Sequence, residues 1–274
     1  MTAEGIQAAH DAAVLRAALL VGVGGVAWGL DLGAVSGALE GARYDLNLSS
    51  QQTALAVALF GPGELIGGLA AGLIGDRFGR VKSLMLSALV IVAMALTTAV
   101  APSPQTLIAC RFGAGIGAGL SFVAHIAWAS DIAPVGRSGS LTSCFELAVC
   151  GGFLATFAVF ASNAAAWRGL FLLPAAPALL EFILLIRAPE SAPWSLVVKG
   201  PEAAKAAHAD LYERWASTAI PPYEPQSEKL PGVASWAEKR RGPTNVSNGS
   251  NGELDSRHDE RWARGRVASR RQRR

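Results

Sequence analysis

The stretch LAAGLIGDRFGRVKSLMLSALVIVAM, residues 69–94, decides how this chain is read. Two apolar runs flank DRFGRVK, where Asp76, Arg77, Arg80 and Lys82 crowd into a single turn. A hydrocarbon core about 30 Å thick needs roughly 20 apolar residues as helix, because backbone groups left unpaired in lipid cost several kcal/mol each. The stretch therefore reads as the end of one membrane helix, a charged turn held in water, and the start of a second membrane helix.

Working outward, six segments are long and apolar enough to span: residues 17–38, 53–75, 83–101, 106–130, 139–161 and 169–186. The turn between the third and fourth, APSPQ, carries no charge. Arg16, Arg77, Arg80, Lys82, Arg137 and the basic residues of 187–205 fall on one side, against Arg43 and Arg168 on the other. Short basic loops stay in the cytoplasm, so both termini are expected there and the membrane is expected to be the plasma (inner) membrane. The first apolar run is too long for a signal h-region and no cleavage-type sequence ends it, so it reads as an anchor.

Composition agrees with a bilayer as solvent. Of 274 residues, 51% are hydrophobic and only 16% charged, with a mean hydropathy of +0.33. The net charge of +3 does not point to nucleic acid, because 16 of the 24 Lys and Arg lie from Arg187 onward, outside the apolar region. Cys110, Cys144 and Cys150 sit inside apolar runs without paired spacing, which argues against a disulfide framework and a zinc site. No metal and no cofactor is expected. The expected fold is all-α: a cytoplasmic segment at 1–16, a six-helix transmembrane bundle at 17–186, a cytoplasmic helical segment at 187–219 built on EAAKAAHADLYERWA, and a disordered basic tail at 220–274, rich in Pro, Gly, Ser, Asn and charge.

A charge at membrane depth costs at least about 2.5 to 3.5 kcal/mol, so each one needs a partner, water or a function. Asp31 lies about seven residues before the outer end of the first span and Arg111 about six after the outer start of the fourth, which at about 1.5 Å per residue places both roughly 9 to 11 Å deep. An acid and a base at one depth neutralise each other, and protonating the acid releases the arginine. The pair is a candidate proton switch, with a static ion pair as the competing reading. Glu64 sits near mid-depth on a face shared with Gly61, Gly68, Gly72 and Gly75, a small-residue stripe expected to pack on another helix. Glu64 and Glu146 are candidate cavity residues. His125 reads as a packing residue, with a proton relay as the alternative, and Glu181 as a residue that reaches the interface without a role.

GLIGDRFGR, residues 72–80, resembles the cytoplasmic signature between helices two and three of the major facilitator superfamily. WGLDLGAVSGAL, RFGAGIGAG, ASDIAP, WRGLF and PESAPW, in that order over roughly residues 28–200, resemble its sugar porter branch. The resemblance implies one half of the major facilitator fold, with substrate bound between two bundles that rock in alternating access. It implies that Asp31 is the proton acceptor of helix one and Arg111 its partner. It also implies a cytoplasmic gate of Asp76, Arg77, Arg80, Asp131, Arg137 and Glu190.

The chain departs from the branch at Phe153, a third cavity candidate by this resemblance, where a sugar-binding glutamine is usual after the glycine, and at Pro193 and Leu30. Arg137 stands one residue nearer Pro134 than the usual arginine. The implied function is proton-coupled symport of a sugar or related small polar solute, with proton, solute and membrane lipid as partners and a second transporter half or a homodimer completing the path. The alternatives are a truncated, non-transporting fragment and a membrane sensor or scaffold. No nucleophile with a base, metal cluster or phosphate loop suggests an enzyme; GAGIGAG lies inside a membrane helix and reads as packing glycine.

Overall fold

The computed structural model describes residues 3–134, 137–162 and 166–215. The basic tail expected to be disordered, 220–274, lies outside the described residues. Those described form helices α1 Ala3–Asp45, α2 Ser50–Ala58, α3 Phe60–Phe78, α4 Arg80–Ala99, α5 Pro104–Ile132, α6 Ser138–Ala161, α7 Trp167–Leu172, α8 Ala175–Leu185, α9 Ala192–Lys199 and α10 Pro201–Trp215, with no strand among them. Among the described residues six spans are long and apolar enough to cross a membrane, α2 with α3 and α7 with α8 each making one of them.

The two broken spans have a common cause. Proline lacks an N–H and its ring crowds the carbonyl four residues earlier, so Pro62 interrupts the helix at Leu59 and Pro174 with Pro177 interrupts it at Leu173. Helix starts are capped by serine: Ser49 and Gln52 form a capping box on α2, Ser103 caps α5 ahead of Pro104, and Ser191 caps α9. The first helix is longer than the sequence suggests, because Ala9 and Ala13 are buried against Leu211 and Tyr212 of α10. Packing there carries α1 well beyond its apolar run.

Inside the bundle α1 lies along α6, and α3 along α5, at distances only small residues allow. A Cβ at Gly67 would stand 2.1 Å from the Ile116 carbonyl oxygen, and one at Gly119 would stand 2.0 Å from that of Glu64. The close face of α3 is Gly63, Gly67, Ala71 and Gly75, all buried. This corrects part of the stripe expected from sequence: Gly75 does belong to the close face, but Gly61 and Gly72 face open space, and Gly68 and Glu64 line a groove. Residues 63, 67, 71 and 75 lie on one ridge of the helix, and Gly63 and Gly67 of that ridge bring the α3 backbone against that of α5.

Candidate functional site

Asp31 and Arg111, eighty residues apart, meet inside the bundle, with Arg111 Nη1 donating to Asp31 Oδ1 at 2.8 Å. Arg111 is only 2% exposed and Asp31 8%. The guanidinium lies 5.0 Å from the Phe60 ring centroid and 5.4 Å from that of Phe171. Aromatic faces attract a desolvated cation, so the two rings hold Arg111 where one carboxylate alone would leave it poorly compensated. Asp31 also borders a small cavity with Trp28, Ile91, Ala95, Ala114 and Ala118. The Trp28 Nε1–H is buried without a hydrogen-bond partner among the described residues.

Of the three cavity candidates, Glu64 lies on α3, and Glu146 and Phe153 both lie on α6. Glu64 lines an open groove of about 480 Å³ between α3 and α5, with Gly61, Leu65, Gly68, Leu69, Gly119, Phe122 and Val123. Glu146 is exposed on α6. Phe153, 37% exposed, leans on Phe157 with ring centroids 5.0 Å apart.

At the turn between α3 and α4 the charges are knitted together. Arg80 reaches Asp76 at 2.8 Å and Asp131 at 3.2 Å. Glu190 Oε1 accepts from the backbone N–H groups of Arg80 at 2.9 Å, Val81 at 3.2 Å and Ser191 at 2.9 Å, so a carboxylate caps the positive end of α4. Ser191 Oγ donates to Asp131 at 2.7 Å, and Trp194 Nε1 donates to the Asp76 carbonyl at 3.0 Å. Gly79 makes the turn at φ 110°, a conformation that favours glycine. A Cβ there would stand 2.2 Å from Glu190 Oε2. Arg77 instead stacks on Phe78, and Arg137 pairs with Asp11 near the start of α1, so the structure gathers Asp76, Arg80, Asp131 and Glu190 without these two.

One pair escaped the sequence reading. His125 and Glu181, taken there as a packing residue and an interfacial residue, are both wholly buried, with His125 Nε2 2.9 Å from Glu181 Oε1. Glu181 fails to reach the interface because α8 turns it inward. The comparison that pairs Asp31 with Arg111 would have found it: His125 lies five residues before the inner end of the fourth span, and Glu181 five before that of the sixth.

A family model described as sugar (and other) transporter matches residues 17–237. Inositol transporter 4 of Arabidopsis thaliana is 29% identical over 187 residues, covering 66% of this chain and 32% of that protein. The putative metabolite transport protein YwtG of Bacillus subtilis is 34% identical over 182 residues, covering 66% of this chain and 40% of that protein. The chain thus spans well under half the length of these relatives. Among solved structures, the proton:xylose symporter XylE of E. coli, bound to 6-bromo-6-deoxy-D-glucose, superposes with a TM-score of 0.68 at 23% identity, over 76% of this chain and 52% of that one. That likeness establishes the fold.

Proposed function

The chain belongs to the sugar (and other) transporter family, and on that premise we propose that it moves a sugar or related small polar solute across the membrane together with a proton. The observation that carries the reading is the buried Asp31–Arg111 pair. Arginine keeps its charge at any working pH, whereas a carboxylate accepts a proton. When Asp31 is protonated, the attraction that holds Arg111 falls away and the guanidinium is free to take other partners, so proton occupancy and helix packing become one variable. Trp28 borders the same small cavity as Asp31, and its Nε1–H, buried without a partner among the described residues, would become a donor for a hydroxyl of the solute once the cavity opens. Glu64, Glu146 and Phe153 are candidates for the solute-facing wall.

Alternating access requires a second bundle facing this one, supplied by another polypeptide or a second copy of the chain. The Asp76–Arg80–Asp131 cluster with Glu190 is the proposed cytoplasmic gate, with Arg77 and Arg137 joining it in another state of the cycle. The basic turns support a reading in which both termini lie in the cytoplasm, and the membrane proposed is a plasma (inner) membrane.

Xylose and inositol, named in the descriptions of the relatives, are the solutes to try first. Membrane vesicles from cells that make the chain are compared with vesicles from cells whose gene for it is deleted. Uptake that depends on the gene and rises with an inward proton gradient supports the reading. Equal uptake in both for a panel of pentoses, hexoses and cyclitols overturns it.

A further inference from the structure

A second ionisable pair lies inside the bundle, separate from Asp31 and Arg111 and from the charged turn. His125 of α5 and Glu181 of α8 are both 0% exposed, with Nε2 and Oε1 2.9 Å apart. The other ring nitrogen, Nδ1, lies 2.8 Å from the Ser121 carbonyl oxygen and 3.1 Å from its Oγ. A carbonyl oxygen only accepts, so Nδ1 carries a hydrogen and Nε2 is the nitrogen whose protonation changes. Phe145 of α6 stacks on the ring at 4.8 Å. Gly24 of α1 covers the pair: a Cβ there would stand 2.3 Å from Nε2 and 3.0 Å from the Glu181 carboxyl carbon.

We infer that His125 and Glu181 form a second proton-binding site, in which the pair carries one proton, on the imidazole Nε2 or on the carboxylate, in the interior of the bundle. A carboxylate with a purely architectural role is normally surrounded by donors. Here no described group hydrogen-bonds to either Glu181 oxygen, and the contact with Nε2 lies outside hydrogen-bond geometry. A leucine pair would fill comparable space without desolvating two polar groups. What histidine and glutamate supply that leucine does not is a place for a proton.

The surroundings leave that proton to the pair alone. On α5 the adjacent polar group is Ser121, while Arg111 and Asp131 engage Asp31 and Arg80. Helix α6 presents Phe145 and keeps Glu146 exposed. Helix α1 presents Gly24, with Asp31 seven residues further along, about 10 Å at 1.5 Å per residue. Helix α4, which packs on α8, has no ionisable residue after Lys82, and α8 has none besides Glu181. With one proton the pair is neutral overall; with none or two it places a net charge in an apolar interior. The proton comes from water or from protonated Asp31 and leaves the same way, and only N–H and O–H bonds form or break. The site lies between Asp31 and the end of the bundle that carries Arg80.

The inference goes beyond the transport reading and is tested without transport. The full chain in lipid nanodiscs is taken between acidic and alkaline pH while infrared difference spectra are recorded in H2O and D2O. The expected result is a carboxyl or imidazole protonation band that disappears in both Glu181→Gln and His125→Gln and persists in Asp31→Asn and Glu64→Gln. A difference spectrum in Glu181→Gln identical to that of the unaltered chain overturns the inference. As a second measure, weakly buffered titration of the folded His125→Leu/Glu181→Leu double variant is expected to exchange one proton fewer per chain. An unchanged count contradicts the site. If vesicle uptake fails while the band is present, the transport reading falls and this one stands.

Discussion

Replacing Asp31 with asparagine strands Arg111. The guanidinium is 2% exposed and cannot lose its proton, so the variant buries a full charge whose carboxylate partner at 2.8 Å has gone. Breaking a buried pair by removing one member costs about 3 to 5 kcal/mol. Phe60 and Phe171 still flank the cation and the asparagine carbonyl still accepts a hydrogen bond, so the lower end, about 3 kcal/mol, is expected. Arg111→Gln should cost less, because the stranded Asp31 escapes its charge by taking a proton. The double variant leaves no charge behind and is expected to be no less stable than Asp31→Asn alone. The assay is equilibrium unfolding of the four proteins in mixed micelles, read as a double-mutant cycle. A coupling of at least about 2 kcal/mol is expected, and additivity within about 0.5 kcal/mol would refute the reasoning.

Three further predictions follow from the packing and the charged turn. Gly79→Ala combines a φ of 110° with a Cβ 2.2 Å from Glu190 Oε2; it should cost at least about 2 kcal/mol in the same unfolding assay and expose the first N–H groups of α4 to hydrogen exchange. Gly119→Ala, whose Cβ would meet the Glu64 carbonyl oxygen at 2.0 Å, should destabilise by about 1 to 3 kcal/mol, whereas Gly61→Ala, which meets nothing within 4 Å, should be neutral or stabilising by up to about 1 kcal/mol. At the contact of α1 with α10, burial and then the neighbouring His10 charge lower the pKa of His208 from its ordinary 6.5. The unfolded segment then binds more protons than the folded one as pH falls below about 6.5, so α10 should lose protection in hydrogen exchange at acidic pH, corrected for intrinsic rates, and His208→Gln should flatten that dependence.

Much of the fold was legible in the sequence because a bilayer imposes length. Once backbone groups must pair within each segment, DRFGRVK and APSPQ act as unambiguous breaks and six spans follow. What length did not carry was interhelical register. Gly61, Gly68 and Gly72 look as suited to close packing as Gly63 and Gly67, and four-residue spacing occurs on both faces, so only the contacts in the fold distinguish them. The breaks at Leu59 and Leu173 carry a signal in Pro62, Pro174 and Pro177, but a span judged by length and hydropathy alone reads the same whether its helix is continuous or interrupted.

For the candidate site, depth along a span proved the useful coordinate. It brought Asp31 to Arg111 across eighty residues because both were referred to the same outer boundary. Applied from the inner boundary, the same comparison would have brought His125 to Glu181. The positions of Arg77 and Arg137 were not legible from spacing, because a long side chain in a charged loop has several carboxylates within reach, and Asp11 becomes one of them only when α1 extends toward α10.

Proton coupling through Asp31 is tested most directly by a pH electrode in a weakly buffered suspension of vesicles that contain the chain. Adding a transported solute should make the medium alkaline as protons enter with it, and Asp31→Asn should abolish that signal while retaining solute exchange down a preloaded gradient. Solute entry without any change in external pH, or an undiminished signal in Asp31→Asn, would contradict the account.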